Sequence, residues 1–429
     1  MNAAAPLRSV TPSLAAQALA FIGLGLVMFG NYYVYDGIGP VAELLKQQLH
    51  FSDTQIGTLN AIYSLPNILL VPVGGILTDR FGARLVVIAC TLICLVGAVI
   101  TALGDHFPVM ALGRLVFGVG SEILAVSVLV ALAQWYSGGY FALLLALNLS
   151  LARLGSSTAD QSTSFARSLY EQGWQAPLWL AVGFALLSLA GGVVYALIDR
   201  REAPRGTLAM PPPPEHIEWR QLFRFPEAFW LLVATCVAFY CVIFPFRSTF
   251  AIKYFQEALG MTNAAAGNLN SYVFYAAALA TPIFGLLLDR IGRNAGLLAL
   301  GALFLPLSFL VLATIPGSAG LSTALLGLSF AFLPAVLWPT VARYVAPEHL
   351  GTAYGVMTGL QNLGLTLANL AAGYINDVSG ASAENPGGYT PMLWFFGILS
   401  LAAFACTLLL WLRDHGAAAR RAAISAAPP

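Results

Sequence analysis

The chain has 429 residues, of which 59% are hydrophobic and only 9% charged, with a formal net charge of +1. A mean hydropathy of +0.78 excludes an ordinary soluble domain, in which about a quarter of the residues are charged. The near-zero net charge leaves no basic footprint for a nucleic-acid partner, and the five cysteines (Cys90, Cys94, Cys236, Cys241, Cys406) all lie in apolar runs, as small hydrophobes rather than a disulfide framework or a metal site.

In chain order, twelve apolar runs fall near 14–35, 55–78, 85–104, 108–132, 139–162, 177–198, 228–252, 266–288, 295–314, 320–342, 352–376 and 390–412. Each is roughly 20 residues or more, enough to cross ~30 Å of hydrocarbon as a helix. Proline and glycine inside several of them are tolerable in a membrane, where neighbouring helices satisfy the freed backbone groups. The polar stretch through Gln17 leads into a run too long for a signal-peptide core, so the first helix is expected to be an uncleaved anchor.

Lys and Arg concentrate in cytoplasmic loops. With both termini inside, that side receives Arg8, Arg80, Arg84, Arg200, Arg201, Arg205, Arg220, Arg224, Arg290, Arg293, Arg343, Arg413, Arg420 and Arg421, and the opposite side only Lys46, Arg167 and Lys253. The asymmetry supports an even number of crossings and leaves Arg114, Arg153 and Arg247 unassigned. The one long polar break, with prolines at 211–214, reads as a stiff spacer. It gives an N-terminal six-helix bundle over 1–198, a cytoplasmic linker over 199–226, and a C-terminal bundle with a short tail over 227–429. The Ala-rich chain and its short tails suit a bacterial inner membrane.

A short signature occurs twice, 210 positions apart: Gly75-Ile-Leu-Thr-Asp79-Arg80-Phe-Gly82-Ala-Arg84 and Gly285-Leu-Leu-Leu-Asp289-Arg290-Ile-Gly292-Arg293, with Asn60/Asn270 and Pro72/Pro282 upstream at the same offset. A polar turn repeated at half the chain length marks a duplicated membrane protein. The doubled motif resembles the loops after helices two and eight of the major facilitator superfamily. That resemblance implies an all-α fold of twelve transmembrane helices, in two six-helix bundles built from inverted repeats, and alternating-access transport. It also implies a conformational latch at Gly75, Asp79, Arg80, Arg84, Gly285, Asp289, Arg290 and Arg293, where charge-assisted hydrogen bonds lock helix ends together in one state.

Ionisable groups at bilayer depth cost roughly 3 kcal/mol or more and normally face a cavity. Glu122 and Arg153 each lie about fourteen residues into consecutive, oppositely running helices, so both fall near mid-membrane and close in space. Two readings stand: a site for a zwitterion, with Glu122 on its ammonium and Arg153 on its carboxylate, or an internal salt bridge joining the two helices. Aligning Arg153-Leu154-Gly155 with Asn362-Leu363-Gly364 puts neutral Asn362 opposite Arg153, against a general architectural need for the charge.

Arg114 reads either as a structural arginine bonded to carbonyls of the first helix or as a coupling residue. Arg247, after Phe244-Pro245-Phe246, reads as a weak substrate-site candidate or a snorkelling side chain near a helix end. Asp36 and Asp160 are placed near helix ends within reach of water, for gating or simple solvation. Tyr32, beside Asn31, is the tyrosine kept as a cavity residue. No phosphate-binding Gly-rich loop, His-Glu-x-x-His or Gly-x-Ser-x-Gly is present, so neither direct ATP coupling nor an intramembrane hydrolase is expected. The Gly-Pro kink of the drug/proton exporters and the Glu-x-x-Glu-Arg pattern of the proton-coupled oligopeptide transporters are missing as well.

Several segments are similar to the major facilitator superfamily domain-containing protein 1 group: residues Gly113 to Val126 around Glu122, Leu149 to Ser156 around Arg153, and Leu337-Trp338-Pro339 with Pro347-Glu348-His349 through Gly355. The resemblance implies dipeptide uniport, with an acid on helix four and an arginine on helix five receiving the peptide termini; these positions are Glu122 and Arg153. Arg247 departs from the group, where a smaller apolar residue is expected. The expectation is therefore a transporter, not an enzyme, without cofactor or metal, acting as a monomer in a lipid bilayer on a small zwitterionic solute. The alternative is a proton-coupled organic-anion carrier using Arg153 and Arg247, with Glu122 or Asp36 titrating.

Overall fold

The computed structural model describes residues 12–136, 141–202, 225–291, 295–346 and 349–425, which form helices and no strand. Twelve long helices follow one another: α1 (Leu14–Asp36), α2 (Asp53–Ser64, resuming as Asn67–Phe81), α3 (Ala83–Leu103), α4 (Phe107–Trp135), α5 (Phe141–Phe165) and α6 (Gln175–Glu202) make the first half. The second half holds α7 (Glu227–Phe244, a π-helical turn Pro245–Phe250, then Ala251–Glu257), α8 (Asn263–Ile291), α9 (Ala295–Thr314), α10 (Ala319–Val341), α11 (Leu350–Val378) and α12 (Thr390–Ser425). A short helix, Ala42–Leu49, lies between α1 and α2.

Local chemistry sets several boundaries. The Ser13 hydroxyl caps α1 by accepting from the Ala16 N–H at 3.2 Å. Ser52 and Gln55 form a reciprocal capping box at the start of α2. Gly82, at φ +81°, makes the turn of the first signature loop, a conformation only glycine adopts without strain. Pro66 interrupts α2, and Pro245 opens the π turn of α7 by removing a helical N–H. Two repeat-related asparagines serve the buried backbone of that turn: Asn60 donates to the Ser248 carbonyl and to the Thr249 hydroxyl (3.4 and 2.8 Å), and Asn270 donates to the Arg247 carbonyl (2.9 Å).

Within each half the helices pack by close backbone approach. A Cβ on Gly23 of α1 would come 2.8 Å from the Gly191 carbonyl of α6, which fits packing without a hydrophobic force between helices. Eight helices are long and apolar enough over their described residues to cross a membrane. The other four, α2, α5, α8 and α11, carry polar groups used between the halves: Ser157 donates to the Ser271 carbonyl (3.1 Å), Tyr275 to Gln161 (3.1 Å), and Thr366 to the Ala61 carbonyl (3.3 Å).

These contacts seal the end remote from the linker. There Gly57 and Gly373 lie against the backbones of Asn369 and Asp53 in the opposite half. At the linker end, by contrast, a Cβ added to Gly75 of α2 or Gly355 of α11 would meet nothing within 4 Å, and Asp79 is exposed. Among the described residues, the halves are closed together at the distal end and stand clear of each other around Gly75 and Gly355 at the linker end.

Some boundaries differ from the sequence reading. Helix α6 continues to Glu202, into the expected linker, whose residues 203–224 lie outside the described residues. Helix α12 runs to Ser425, because an Ala-rich polar tail sustains helix beyond the apolar segment. Lys253, placed in an exposed loop by its charge, is fully buried; Asp53 of the first half and Glu257, one turn on in its own helix, neutralise it.

Candidate functional site

Arg153, midway along α5, points between the halves. Its guanidinium lies over four rings: Tyr32 of α1 at 5.3 Å, Phe244 of α7 at 5.9 Å, Phe274 of α8 at 5.1 Å and Phe330 of α10 at 4.9 Å. Three of these belong to the second half, so Arg153 reaches across the interface. Among the described residues nothing hydrogen-bonds or ion-pairs with it, and its buried Nη1 has no partner. Aromatic faces attract a cation but do not satisfy its N–H groups.

Glu122, midway along α4, is half-buried. The Tyr63 hydroxyl donates to its Oε1 at 3.3 Å. Asn31 of α1 donates to the Ser121 hydroxyl at 2.7 Å, and Ser121 lies 3.1 Å from the Tyr63 oxygen. Tyr32 is within electrostatic reach of both Glu122 and Arg153. No ion pair joins Glu122 to Arg153, so the salt bridge entertained from the sequence does not form in this conformation. One acid and one base therefore stand apart, with Tyr32 within reach of both.

Arg247 is placed otherwise than its sequence position suggested. It does not snorkel: only 1% of it is exposed. Its Nη1 lies 2.8 Å from Asp36 Oδ1, and its Nη2 pairs with Asp160 and donates to the Ser156 carbonyl at 3.3 Å. Asp36 and Asp160 are likewise 1% exposed rather than hydrated. Both sit at the sealed distal end, and the second half supplies the cation that replaces water. The triad bridges the halves through α1, α5 and α7.

Arg114, 1% exposed, donates to the carbonyls of Val34 (3.2 Å), Tyr35 (3.1 Å) and Leu59 (3.2 Å) and to Asn60 Oδ1 (2.7 Å). This geometry ties α1 and α2 to α4 and commits four of the five N–H groups to the protein. A water-sized void beside it, lined by Val34, Ile38, Thr101 and Phe117, lies inside the first half, away from Glu122 and Arg153. Asn362 donates to Thr358 within its own helix (3.1 Å) and makes no hydrogen bond to Glu122 or Arg153.

In the signature loops, Asp79 and Arg80 are exposed and Arg84 lies 3.9 Å from Asp199. Gly285, Asp289 and Arg290 fall within α8 with side chains outside the described residues, as does the whole of Arg293. The sequence reading missed Tyr63 and the aromatic set Phe244, Phe274 and Phe330. Nothing in their spacing distinguishes a ring beside a buried cation from an ordinary packing residue.

The fold and the paired charges agree with comparison to known proteins. The sequence model of the Major Facilitator Superfamily matches residues 24–251 and 244–428, and the chain belongs to that family: it is a multi-pass membrane protein and a secondary transporter, not an enzyme. It is 34% identical over 412 residues to the lysosomal dipeptide transporter MFSD1 of Danio rerio, covering 93% of this chain and 87% of that protein. The Homo sapiens MFSD1 is 33% identical over 380 residues, 86% and 81% of the two chains. Among solved structures, the nucleoside transporter NupG superposes with a TM-score of 0.75 at 14% identity, covering 91% of this chain and all of that one. A bacterial homologue of the human lysosomal transporter Spinster, inward-facing and unoccupied, gives 0.74 at 17% identity, covering 94% and 99%. At such identities these two show the fold alone.

Proposed function

We propose that the protein carries dipeptides or similar amino-acid-like zwitterions by alternating access, Glu122 taking the ammonium and Arg153 the carboxylate. The observation that carries this reading is the unpartnered guanidinium of Arg153 at the meeting of the two halves. A cation there is costly unless something completes it, and a carboxylate can accept two parallel N–H bonds from it. Tyr32 flanks both charges. The likeness to the dipeptide transporters named MFSD1 supports the same solute class. An organic-anion carrier is less favoured: it would need Arg247 as a second cation, and Asp36 and Asp160 already occupy that residue.

In this reading the linker end faces the cytoplasm, as the arginine distribution expects, in a bacterial inner membrane, and the chain works as a monomer. The parted linker end is then an inward-open state. The latch formed by Gly75, Asp79, Arg80 and Arg84, with Gly285, Asp289, Arg290 and Arg293 in the second half, closes that end when the distal end opens.

Thermal unfolding of purified protein tests the site, since a ligand that binds only the folded state raises Tm by mass action. Dipeptides are expected to stabilise the wild type and to leave folded Glu122→Gln and Arg153→Ala unmoved. Stabilisation by dicarboxylates that survives Glu122→Gln would replace this reading with the anion carrier.

A further inference from the structure

Beyond the solute site, the sealed distal end holds a second group of charges that the transport reading does not use. Lys253 of α7, fully buried, lies 3.1 Å from Asp53, 2.9 Å from Glu257 and 2.5 Å from the Tyr389 hydroxyl. Tyr389 in turn donates to Glu257. Lys46 of the short helix Ala42–Leu49 stands 3.7 Å from Asp53 and 3.8 Å from Glu257, and donates to the Ala381 carbonyl at 3.0 Å. Two ammonium groups are thus shared between two carboxylates.

Glu43 is a third carboxyl in the same cluster. One of its oxygens accepts from Gln47 at 2.7 Å; the other is buried and without a partner. Glu43 lies beside Glu257, close enough for the two carboxyl groups to share a hydrogen bond. Other titratable groups packed here offer no further cation: Asp377 is engaged by the Asp53 and Thr54 N–H groups at 2.8 Å each, and Tyr254 packs its ring on Tyr389. Three carboxylates against two ammonium groups leave one negative charge over. Two carboxyl groups that share one hydrogen bond need a proton between them, and that proton removes their repulsion.

The cluster is divided between the halves. Glu43, Lys46 and Asp53 belong to the first, Lys253, Glu257 and Tyr389 to the second. Opening the distal end returns Glu43 to water, where a glutamate is ionised at neutral pH. Closing it again brings Glu43 onto Glu257.

We propose that the distal gate is a proton-operated lock, closing only as one proton is captured between Glu43 and Glu257. The closed state then binds one proton more than the open state, so acid on the distal side favours closure and alkali favours opening. The proton enters from the distal side and returns there on reopening. Solute transport therefore depends on distal pH without carrying protons across.

The test needs no solute, so its outcome is separate from that of the dipeptide reading. Spin labels on Gln172→Cys and Glu384→Cys, exposed positions at the distal ends of the two halves, in a Cys406→Ser background, report the distance across the gate in lipid nanodiscs. The ratio of closed to open populations is expected to fall about tenfold per pH unit as pH rises. In Glu43→Gln, whose amide donates to Glu257 without a proton, the ratio should be high and independent of pH. A wild-type ratio that ignores pH overturns the proposal. So does a slope that persists in Glu43→Gln, which would assign the titration to another group, such as the Asp36–Arg247–Asp160 triad.

Discussion

Around Arg247 the chain supplies two carboxylates, a carbonyl and the Ser248 hydroxyl; around Arg153 it supplies four aromatic rings and, among the described residues, no acceptor. The two guanidinium groups flank one ring, Phe274, at 3.9 and 5.1 Å. Both lie between the halves, yet one has two counter-charges, its Nε alone lacking a partner, and the other has no counter-charge among the described residues. A paired buried charge holds a structure together, because removing its partner strands the other charge. An unpaired one in a transporter cavity is a demand that a solute can meet. Under the proposed function, closure of the distal end falls to Arg247 and recognition of the solute to Arg153.

The largest effect is expected on the Arg247 side. Arg247→Leu leaves Asp36 and Asp160 buried together without a counter-charge, a loss on the order of 3–5 kcal/mol if the gate stays shut. The protein escapes that cost by opening the distal end or by unfolding. A fall in Tm of several degrees, or a wider distance across the distal gate at unchanged Tm, would both fit. A variant with neither change would show the triad to be dispensable and remove the contrast.

Arg153→Ala should do the reverse. No hydrogen bond or ion pair is lost; the four cation–π contacts that go are offset by removal of an uncompensated charge, so Tm without solute should stay close to that of the wild type. Solute affinity should fall by about 10–100-fold, the worth of one or two hydrogen bonds to a charged group. Equilibrium binding of a radiolabelled dipeptide measures it. Glu122→Gln keeps the shape of its site and one acceptor oxygen, and should cost less, about tenfold. If Arg153→Ala unfolds the protein while Arg247→Leu does not, the roles of the two arginines are exchanged.

How far the sequence disclosed this contrast follows from the range of the interactions. Depth along a helix can be counted, so Glu122 and Arg153 were recognisable as mid-membrane charges, and the doubled signature announced the duplicated helical fold. Arg247 was legible as a charge but not as a triad, because its acids lie on α1 and α5 and meet it only when the halves close. The same holds in part for Lys253, which charge alone sent to a loop: Glu257 lies one turn on, but Asp53 reaches it only across the halves. Asn60 and Asn270 were visible as a repeated pair. That they converge on the backbone of one π turn depends on Pro245 widening α7, a local event that hydrophobic periodicity does not register.

Phe274 offers the finest probe of the comparison, because both arginines use its ring. Replacing it with leucine keeps an apolar side chain and removes the π face. On the Arg247 side two ion pairs remain, and the loss is a cation–π contact of roughly 0.5–2 kcal/mol together with a small packing defect. On the Arg153 side three other rings remain, so the guanidinium keeps most of its support but is held less firmly when the solute arrives. Phe274→Leu should therefore lower Tm modestly and weaken dipeptide binding only severalfold, in the same protein and through one substitution. Weakened binding at an unchanged Tm would mean that the ring serves recognition alone. A lower Tm with full affinity would mean that Arg153 is oriented by Tyr32, Phe244 and Phe330 without it, and that the two arginines, though neighbours, act independently.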